Sequence, residues 1–398
     1  MKLNVLKISF ILMISFLASN AWAEVNSKSN IEKIKNESNY SFIVLGHAYG
    51  APSSSVFPAA SLLSGTQEIN QQKPNFVILL GDTIQHANSP HNIYNSSKDE
   101  VQKFNDAQFD SLKKLFIDKI DSPILNVAGN HDAPESDWYK SKFGKTNFKF
   151  TVNSEAYIMF NSMNLCSEKN KLNIEEKFIL ENLKNYKNND KIKNIFLLMH
   201  QAIFTSEKNE LSEVKNWVNG GLAKCPSYTD KILPKLEELS EKINVYLVAG
   251  DTGCKDYQLG AAPLDTFPIF FHERGNISYL ISGICENSND NFVNIKLENG
   301  KVDFQAISFL DGTMKKVQSY NILYWKKHYS SWDQQQKIFE KKHQLEIFKK
   351  DVPLKKIEKI IKLIKDIFRS KKFYAGIIFS FIIFFFFKRF IRIFSEKR

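Results

Sequence analysis

Four short apolar runs of the sequence, NFVILL, PILNVA, NIFLLM and NVYLVA, each end at polar side chains that can bind a metal ion or move a proton. In chain order these side chains are Asp82, Asn130, His131, Asp132, His200 and Asp251. Carboxylate, amide and imidazole groups suit hard and borderline divalent metals. A glycine directly precedes Asp82, Asn130 and Asp251, and it permits a tight turn at the end of a strand.

A fifth apolar run, SFIVLG at residues 41–46, ends differently. It is followed by His47 and, two residues later, by Tyr49. His47 is a good metal ligand, whereas a neutral tyrosine is a poor one. The first run therefore raises the question of whether its end belongs to the same metal site.

Apolar runs of this length predict buried strands, and six of them lie between residues 41 and about 310. Helical patterns separate several of them, and one, NIEEKFILENLKNYKN, begins at Asn173, a good N-cap. FVNIKLENGKVDFQAISF predicts a hairpin with Asn299-Gly300 as its turn, and FKFTVNSEAYIMF predicts a second hairpin. The pattern indicates an α/β layered fold with an antiparallel flank. Ligands bind at the carboxyl ends of strands in such sheets, where the polar groups would converge.

Gly81-Asp82, then Gly129-Asn130-His131-Asp132, then a strand-ending His200 together resemble the calcineurin-like metallophosphoesterases over roughly residues 41–310. The resemblance implies a four-layer α/β/β/α sandwich and two metal ions. It also implies a reaction in which metal-activated water attacks phosphorus. In that reaction His131 would act as general acid or phosphate contact, and Asp132 would orient His131.

The sequence departs from the family pattern in its first and last motifs. His47 and Tyr49 stand where the family has aspartate and histidine, and Asp251 and Gly253 stand where it has two histidines. For one ion, the family's ligand positions correspond to Asp82, Asn130, His200 and Asp251. For the other ion they correspond to His47, Tyr49, Asp82 and Gly253.

Every position of the first ligand set holds a residue that can bind a metal. The second set is depleted, because Gly253 has no ligand side chain. His47 replaces an aspartate and Asp251 replaces a histidine, so the two positions together still supply one imidazole and one carboxylate. We therefore expect a rebuilt site that holds one or two divalent ions of manganese, iron or zinc. Gln85 stands where purple acid phosphatases carry a tyrosine, so that subfamily is not expected.

Both ends of the chain predict targeting segments. Residues 1–23 read as a signal peptide that ends in Ala21-Trp22-Ala23, with an uncut membrane anchor as the alternative. A polar linker is expected at 24–40 and a helical connector at 311–372. The connector includes a basic amphipathic helix that would lie on lipid or pack as a stalk. A transmembrane helix at 373–390 and a basic cytoplasmic tail at 391–398 complete the prediction.

The net charge of +11 comes from the C-terminal tail. Residues 349–398 contain 15 Lys/Arg and 4 Asp/Glu, and the other residues contain 39 of each sign. A neutral body argues against a nucleic-acid partner. Four cysteines, in an exported chain, permit two disulfides in three pairings, although Cys254 is also a possible thiol ligand.

Two functions remain open from the sequence. The first is an exported, membrane-anchored phosphoester hydrolase acting on a phosphorylated small molecule, a lipid-linked phosphate or a glycan phosphate. Its catalytic domain would lie on the extracytoplasmic side of a single-pass anchor. The second is a catalytically impaired protein of the same fold that acts as an extracytoplasmic binding module.

Overall fold

A computed structural model describes residues 37–50, 55–85, 97–167, 173–218, 221–252, 267–285 and 288–328. The predicted signal peptide, amphipathic helix, transmembrane helix and basic tail lie outside the described residues. So does the predicted linker, except for its last four residues. Two of those four, from Asn39, already belong to the first strand.

Six strands form the first sheet. They are β1 (Asn39–Leu45), β2 (Phe76–Leu79), β3 (Ile124–Asn126), β10 (Asn291–Glu298), β11 (Lys301–Ser308) and β12 (Met314–Lys316). Their order is β12-β11-β10-β1-β2-β3. The three strands β1, β2 and β3 are parallel, and β10, β11 and β12 form the antiparallel flank.

Six further strands form the second sheet. They are β4 (Phe148–Val152), β5 (Glu155–Met159), β6 (Asn194–Met199), β7 (Asn244–Ala249), β8 (Ile269–Arg274) and β9 (Ile277–Ser282). Their order is β4-β5-β6-β7-β9-β8, with antiparallel strands at both edges of a parallel centre. The prediction of a mixed α/β fold is confirmed, and every apolar run named above forms a strand.

The described helices are short, apart from two. They are α1 (Ala60–Ser64), α2 (Thr66–Gln71), α3 (Lys98–Leu115), α4 (Asp137–Phe143), α5 (Ser162–Cys166), α6 (Ile174–Lys187) and α7 (Leu233–Ser240). A capping box of Ser97 and Glu100 begins α3. The predicted N-cap of α6 is confirmed, because the Asn173 side chain accepts a hydrogen bond from Glu176 N at 3.0 Å.

Aromatic side chains join the two sheets. The ring of Phe42 on β1 meets Tyr157 on β5 and Phe196 on β6 edge-on, at centroid distances of 5.4 and 5.3 Å. The opposite face of the first sheet packs on helices, where Leu79 shares a core with Leu112 and Phe116. Strands β1 and β2 are thus apolar on both faces, since their alternate residues belong to the two cores, which explains why the sequence shows continuous runs rather than alternation there.

Both predicted hairpins form. Asn299 and Gly300 have φ of 53° and 78°, the left-handed pair of a tight hairpin turn between β10 and β11. The β4–β5 hairpin turns at Asn153, whose φ is 49°. Asparagine tolerates this conformation better than most residues, which accounts for its place at both turns.

Ordered structure continues past residue 310, where the sequence placed the end of the domain. Strand β12 pairs with β11, and Trp325 is buried and donates from its indole N–H to Ile269 O at 2.9 Å. Residues 322–328 are helical. Within the described ranges, no helix combines the length and apolarity needed to cross a bilayer.

Cys166 and Cys225 form a disulfide that spans 59 residues of sequence, and Cys285 is also disulfide-bonded. Of the three pairings left open by the sequence, the structure thus selects the one that contains the 166–225 bridge. Cys254 lies outside the described residues. The 166–225 bridge ties the end of α5 to the π-helical turn Ser227–Ile232 that leads into α7.

Replacing both Cys166 and Cys225 by serine should lower the free energy of unfolding by about 4 kcal/mol, because the unfolded chain regains the freedom of a loop of this length. Urea unfolding of the double variant and of the oxidised wild type measures this difference. The wild type in reductant is the companion sample, since it loses every bridge at once. An unchanged midpoint in the double variant would show that the bridge contributes nothing to stability.

Candidate metal centre

The carboxyl ends of five strands from both sheets meet at one place. His47 follows β1, Asp82 follows β2, and the Gly129–Asp132 turn follows β3. His200 follows β6 and Asp251 follows β7. The two sheets touch here, because His200 Nδ1, after β6, lies 2.8 Å from Leu80 O, after β2. Within the second sheet, Gly250 N and Asp251 N both donate to His200 O at 2.9 Å.

Two glycines allow this close approach. A Cβ at Gly129 would lie 2.1 Å from the backbone nitrogen of Asp82, and a Cβ at Gly250 would lie 2.1 Å from Leu80 O. No side chain fits at either position without moving the backbone. Glycine therefore precedes these polar groups because the strand ends touch, in addition to any turn that it permits.

Two imidazoles and two carboxylates face each other in the centre. His47 Nε2 lies 2.8 Å from Asp251 Oδ1 and 3.5 Å from Asp82 Oδ2. His200 Nε2 lies 3.2 Å from Asp82 Oδ1 and 3.4 Å from Asp251 Oδ2. All four side chains are buried. Ligand atoms of His47, His200 and Asp251 lie within 4.8 Å of one another, close enough to share a metal ion.

Backbone contacts prepare His200 to act as a ligand. Its Nδ1 lies 2.8 Å from Leu80 O and, as the carbonyl can only accept, donates its proton there. Nε2 is then the nitrogen that faces Asp82 and Asp251. A second hydrogen bond of this kind commonly fixes the tautomer of metal-binding histidines. The sequence could not reveal this contact, since its partner is a backbone carbonyl.

Three atoms of the predicted ligands are buried without a well-oriented hydrogen-bond partner among the described residues: Asp82 Oδ2, Asn130 Oδ1 and His200 Nε2. Buried polar atoms are normally paired, so each exception calls for an explanation. A divalent cation would satisfy all three, and their chemistry is that of a hard-to-borderline site. The residues present thus fit the metal that the family implies.

Two of the candidate ligands have strained backbones. His47 and Asp82 have φ of 59° and 53°, in the left-handed region that only a few per cent of residues other than glycine adopt, with asparagine, aspartate and histidine the most frequent among them. Strain of roughly 1–3 kcal/mol at each such residue persists only where the surroundings enforce it. His47 N donates to Gly81 O at 3.1 Å, so the two strained loops hold each other.

Asp132, which the resemblance expects to orient His131, makes its contacts with the backbone. Its Oδ1 accepts from the backbone nitrogens of Thr83 and Ile84 at 2.8 and 3.0 Å, and its Oδ2 accepts from Gly129 N at 2.8 Å. The carboxylate clamps the loop after β2 to the turn after β3. Asp132 therefore positions His131 through the backbone.

His131 lies beside the carboxylates. Its backbone N–H donates to Asp82 Oδ1 at 2.9 Å, and its Nε2 lies 3.9 Å from Asp82 Oδ2. The Tyr49 ring lies between this histidine and His47, at centroid distances of 5.0 and 5.4 Å. Tyr49 thus forms a wall of the centre, although it contributes little as a neutral ligand.

Opposite charges govern protonation in the centre. Burial lowers the pKa of His200, but the negative charges of Asp82 and Asp251 outweigh it and raise that pKa to about 10. Burial also lowers the pKa of His47, yet its hydrogen bond to Asp251 and the charge of that group raise it overall. For Asp82, burial favours the neutral form, but His200 and His47 hold its pKa well below the usual range.

The observed cluster combines residues from both of the ligand sets that the family pattern suggested. His47 was assigned to one ion, and His200 and Asp251 to the other, yet the three lie together. The exchange of residue types at 47 and 251 explains this, because the longer imidazole reaches from β1 across to Asp251. Gly253 lies outside the described residues. Ligand atoms from both sets thus lie close enough to share one ion.

Residues 56–221 match the family model of the calcineurin-like phosphoesterases. The resemblance to this family is confirmed. The calcineurin-like match contains Asp82, the Gly129–Asp132 turn and His200. It begins after His47 and Tyr49 and ends before Asp251, so the altered first and last motifs lie outside it. None of the curated proteins matches the chain.

Solved structures similar to this chain are remote in sequence. One is GAP50, the anchor in the inner membrane complex of Plasmodium, with a TM-score of 0.43, 15% identity and coverage of 74% of this chain and 95% of that one. Purple acid phosphatase PPD1 from yellow lupin has a TM-score of 0.46, 13% identity and coverage of 71% and 53%. A dimetal phosphatase from Danio rerio has a TM-score of 0.46, 11% identity and coverage of 71% and 100%.

A purified chain incubated with manganese, iron or zinc should retain about one ion per molecule after desalting, because the ligand atoms surround one centre. Asp82→Asn and Asp251→Asn should each lose most of that metal, since an amide replaces an anionic ligand. Elemental analysis measures the content. Asp190→Asn is the matched control, because Asp190 is exposed and precedes β6, at the end of that strand opposite to His200. Equal metal content in all four proteins would exclude this centre.

Proposed function

We propose that this protein is a metal-dependent phosphoester hydrolase. Two observations carry the proposal. Asp82 Oδ2, Asn130 Oδ1 and His200 Nε2 are buried without a well-oriented hydrogen-bond partner among the described residues, and His47, His200 and Asp251 lie close enough together to share an ion. A module that only binds another protein needs no such arrangement. The family match over residues 56–221 supports the same class of reaction. A four-layer α/β/β/α sandwich would be its scaffold.

The residues of the centre would have two roles, metal binding and contact with the phosphoester. Asp82, Asn130, His200, Asp251 and His47 would hold the ion. When bound, a divalent ion offsets charge on phosphoryl oxygens and lowers the pKa of water. His131, held by its backbone against Asp82, is placed to donate a proton to the leaving oxygen or to contact the phosphate.

We also propose that the centre works outside the cytoplasm, next to a membrane. The oxidised state of Cys166, Cys225 and Cys285 supports an oxidising compartment. The apolar segment 373–390 would anchor the chain, and the signal peptide at 1–23 would direct the rest across the membrane. Phosphorylated small molecules, lipid-linked phosphates and glycan phosphates are the substrates that such a location favours.

One observation favours a second function, that of an extracytoplasmic binding module. His47 Nε2 and Asp251 Oδ1 lie 2.8 Å apart, and each side chain partly neutralises the charge of the other. An ion pair of this kind can stabilise the strand ends without catalysis. In this case the fold would be retained as a scaffold for binding.

The hydrolase predicts that metal-loaded protein cleaves para-nitrophenyl phosphate or its diester. His131→Asn should lower kcat by roughly 10² or more with unchanged metal content, because it removes the proton donor and keeps the turn. His272→Gln is the control, since His272 lies on β8, away from the centre, and pairs with Glu210. Metal-loaded wild type that cleaves neither ester would contradict the hydrolase and leave the binding module.

A further inference from the structure

Tyr49 is fixed at the edge of the metal centre. Its backbone N–H donates to Asp82 O at 3.3 Å, and it pairs with Pro58 in an isolated antiparallel bridge. The ring is half-buried and lies between the rings of His47 and His131. The Tyr49 ring is thus a neighbour of both a candidate metal ligand and the candidate proton donor.

The charges of the candidate ligands limit how strongly a centre with a single ion would attract phosphate. Asp82 and Asp251 contribute two negative charges, which equal the charge of one divalent ion. A loaded centre of this composition is close to neutral and attracts a phosphate anion only weakly. A site with two divalent ions and the same carboxylates would carry two positive charges. Another source of hydrogen-bond donors is therefore needed beside a single ion.

We propose that Tyr49 and His131 form the phosphate-binding half of the centre, with the Tyr49 hydroxyl donating to a phosphoryl oxygen in the place of a second ion. This inference rests on the proposed function, because it assumes that the centre receives a phosphoester. Tyr49 would then be a catalytic residue for this chain. A hydroxyl keeps a full donor for an anion without adding charge to a buried site. Hydrogen bonds to charged groups are the stronger ones in proteins, which suits this task.

Phosphate affinity tests the assignment directly. Inorganic phosphate is titrated calorimetrically into zinc-loaded wild type, Tyr49→Phe and Tyr49→Gln. Tyr49→Phe keeps the ring and removes the donor, so phosphate should bind roughly tenfold to a hundredfold more weakly. Tyr49→Gln removes the ring but keeps a donor, and should retain more affinity than Tyr49→Phe. Tyr186→Phe on α6 is the matched control and should bind phosphate as the wild type does.

Metal content and thermal unfolding are measured on the same samples. Unchanged zinc with weakened phosphate binding in Tyr49→Phe supports the assignment. Unchanged phosphate affinity overturns it, and so does a loss of zinc, which would make Tyr49 a metal ligand. If Tyr49→Phe does not fold, Tyr49→Leu replaces it as the variant without a donor, and phosphate affinity in Tyr49→Leu equal to that of the wild type overturns the assignment.

The assays also separate this inference from the hydrolase itself. Wild type that binds phosphate through Tyr49 but cleaves no ester would refute the hydrolase and leave the phosphate site. Wild type that cleaves esters, with Tyr49→Phe equal to it in kcat, KM and phosphate affinity, would refute the phosphate site alone.

Discussion

Two carboxylates, Asp82 and Asp251, are buried almost completely at the point where both sheets end. A buried anion without a partner costs several kcal/mol, so this pair requires positive charge close by. His47 and His200 are placed to supply it, and a divalent ion would supply more. The strained loops at His47 and Asp82, the carbonyl that orients His200 and the Asp132 clamp all serve to hold these four groups in register.

The centre also joins the two halves of the fold. His47 and Asp82 extend from the first sheet, whereas His200 and Asp251 extend from the second. An ion held by all four would cross-link the sheets at one end, while the aromatic core around Phe42 joins them along their length. A ligand that binds only the folded chain stabilises it by mass action. Metal binding and sheet packing would therefore be energetically coupled.

The sequence predicted the parts of the structure that rest on burial. Continuous apolar runs identified the central strands, and the polar residue after each run identified where the candidate ligands meet. The sequence did not reveal which ligands share an ion, because that depends on the reach of side chains across two sheets. It also missed β12, whose three residues, MKK, form an exposed edge strand with no apolar pattern. The contact of the Leu80 carbonyl with His200, and those of the Asp132 side chain with backbone nitrogens, could not be predicted from residue types.

The glycines at 129 and 250 have a consequence for how this centre changes over evolutionary time. Their positions are fixed by atoms of the backbone itself, which no replacement of a ligand alters. A ligand side chain can be replaced without moving the backbone, whereas the glycine beside it cannot be replaced in this way. Relatives with heavily altered ligands would be found more reliably by the spacing of such glycines behind apolar runs than by the metal-binding residues.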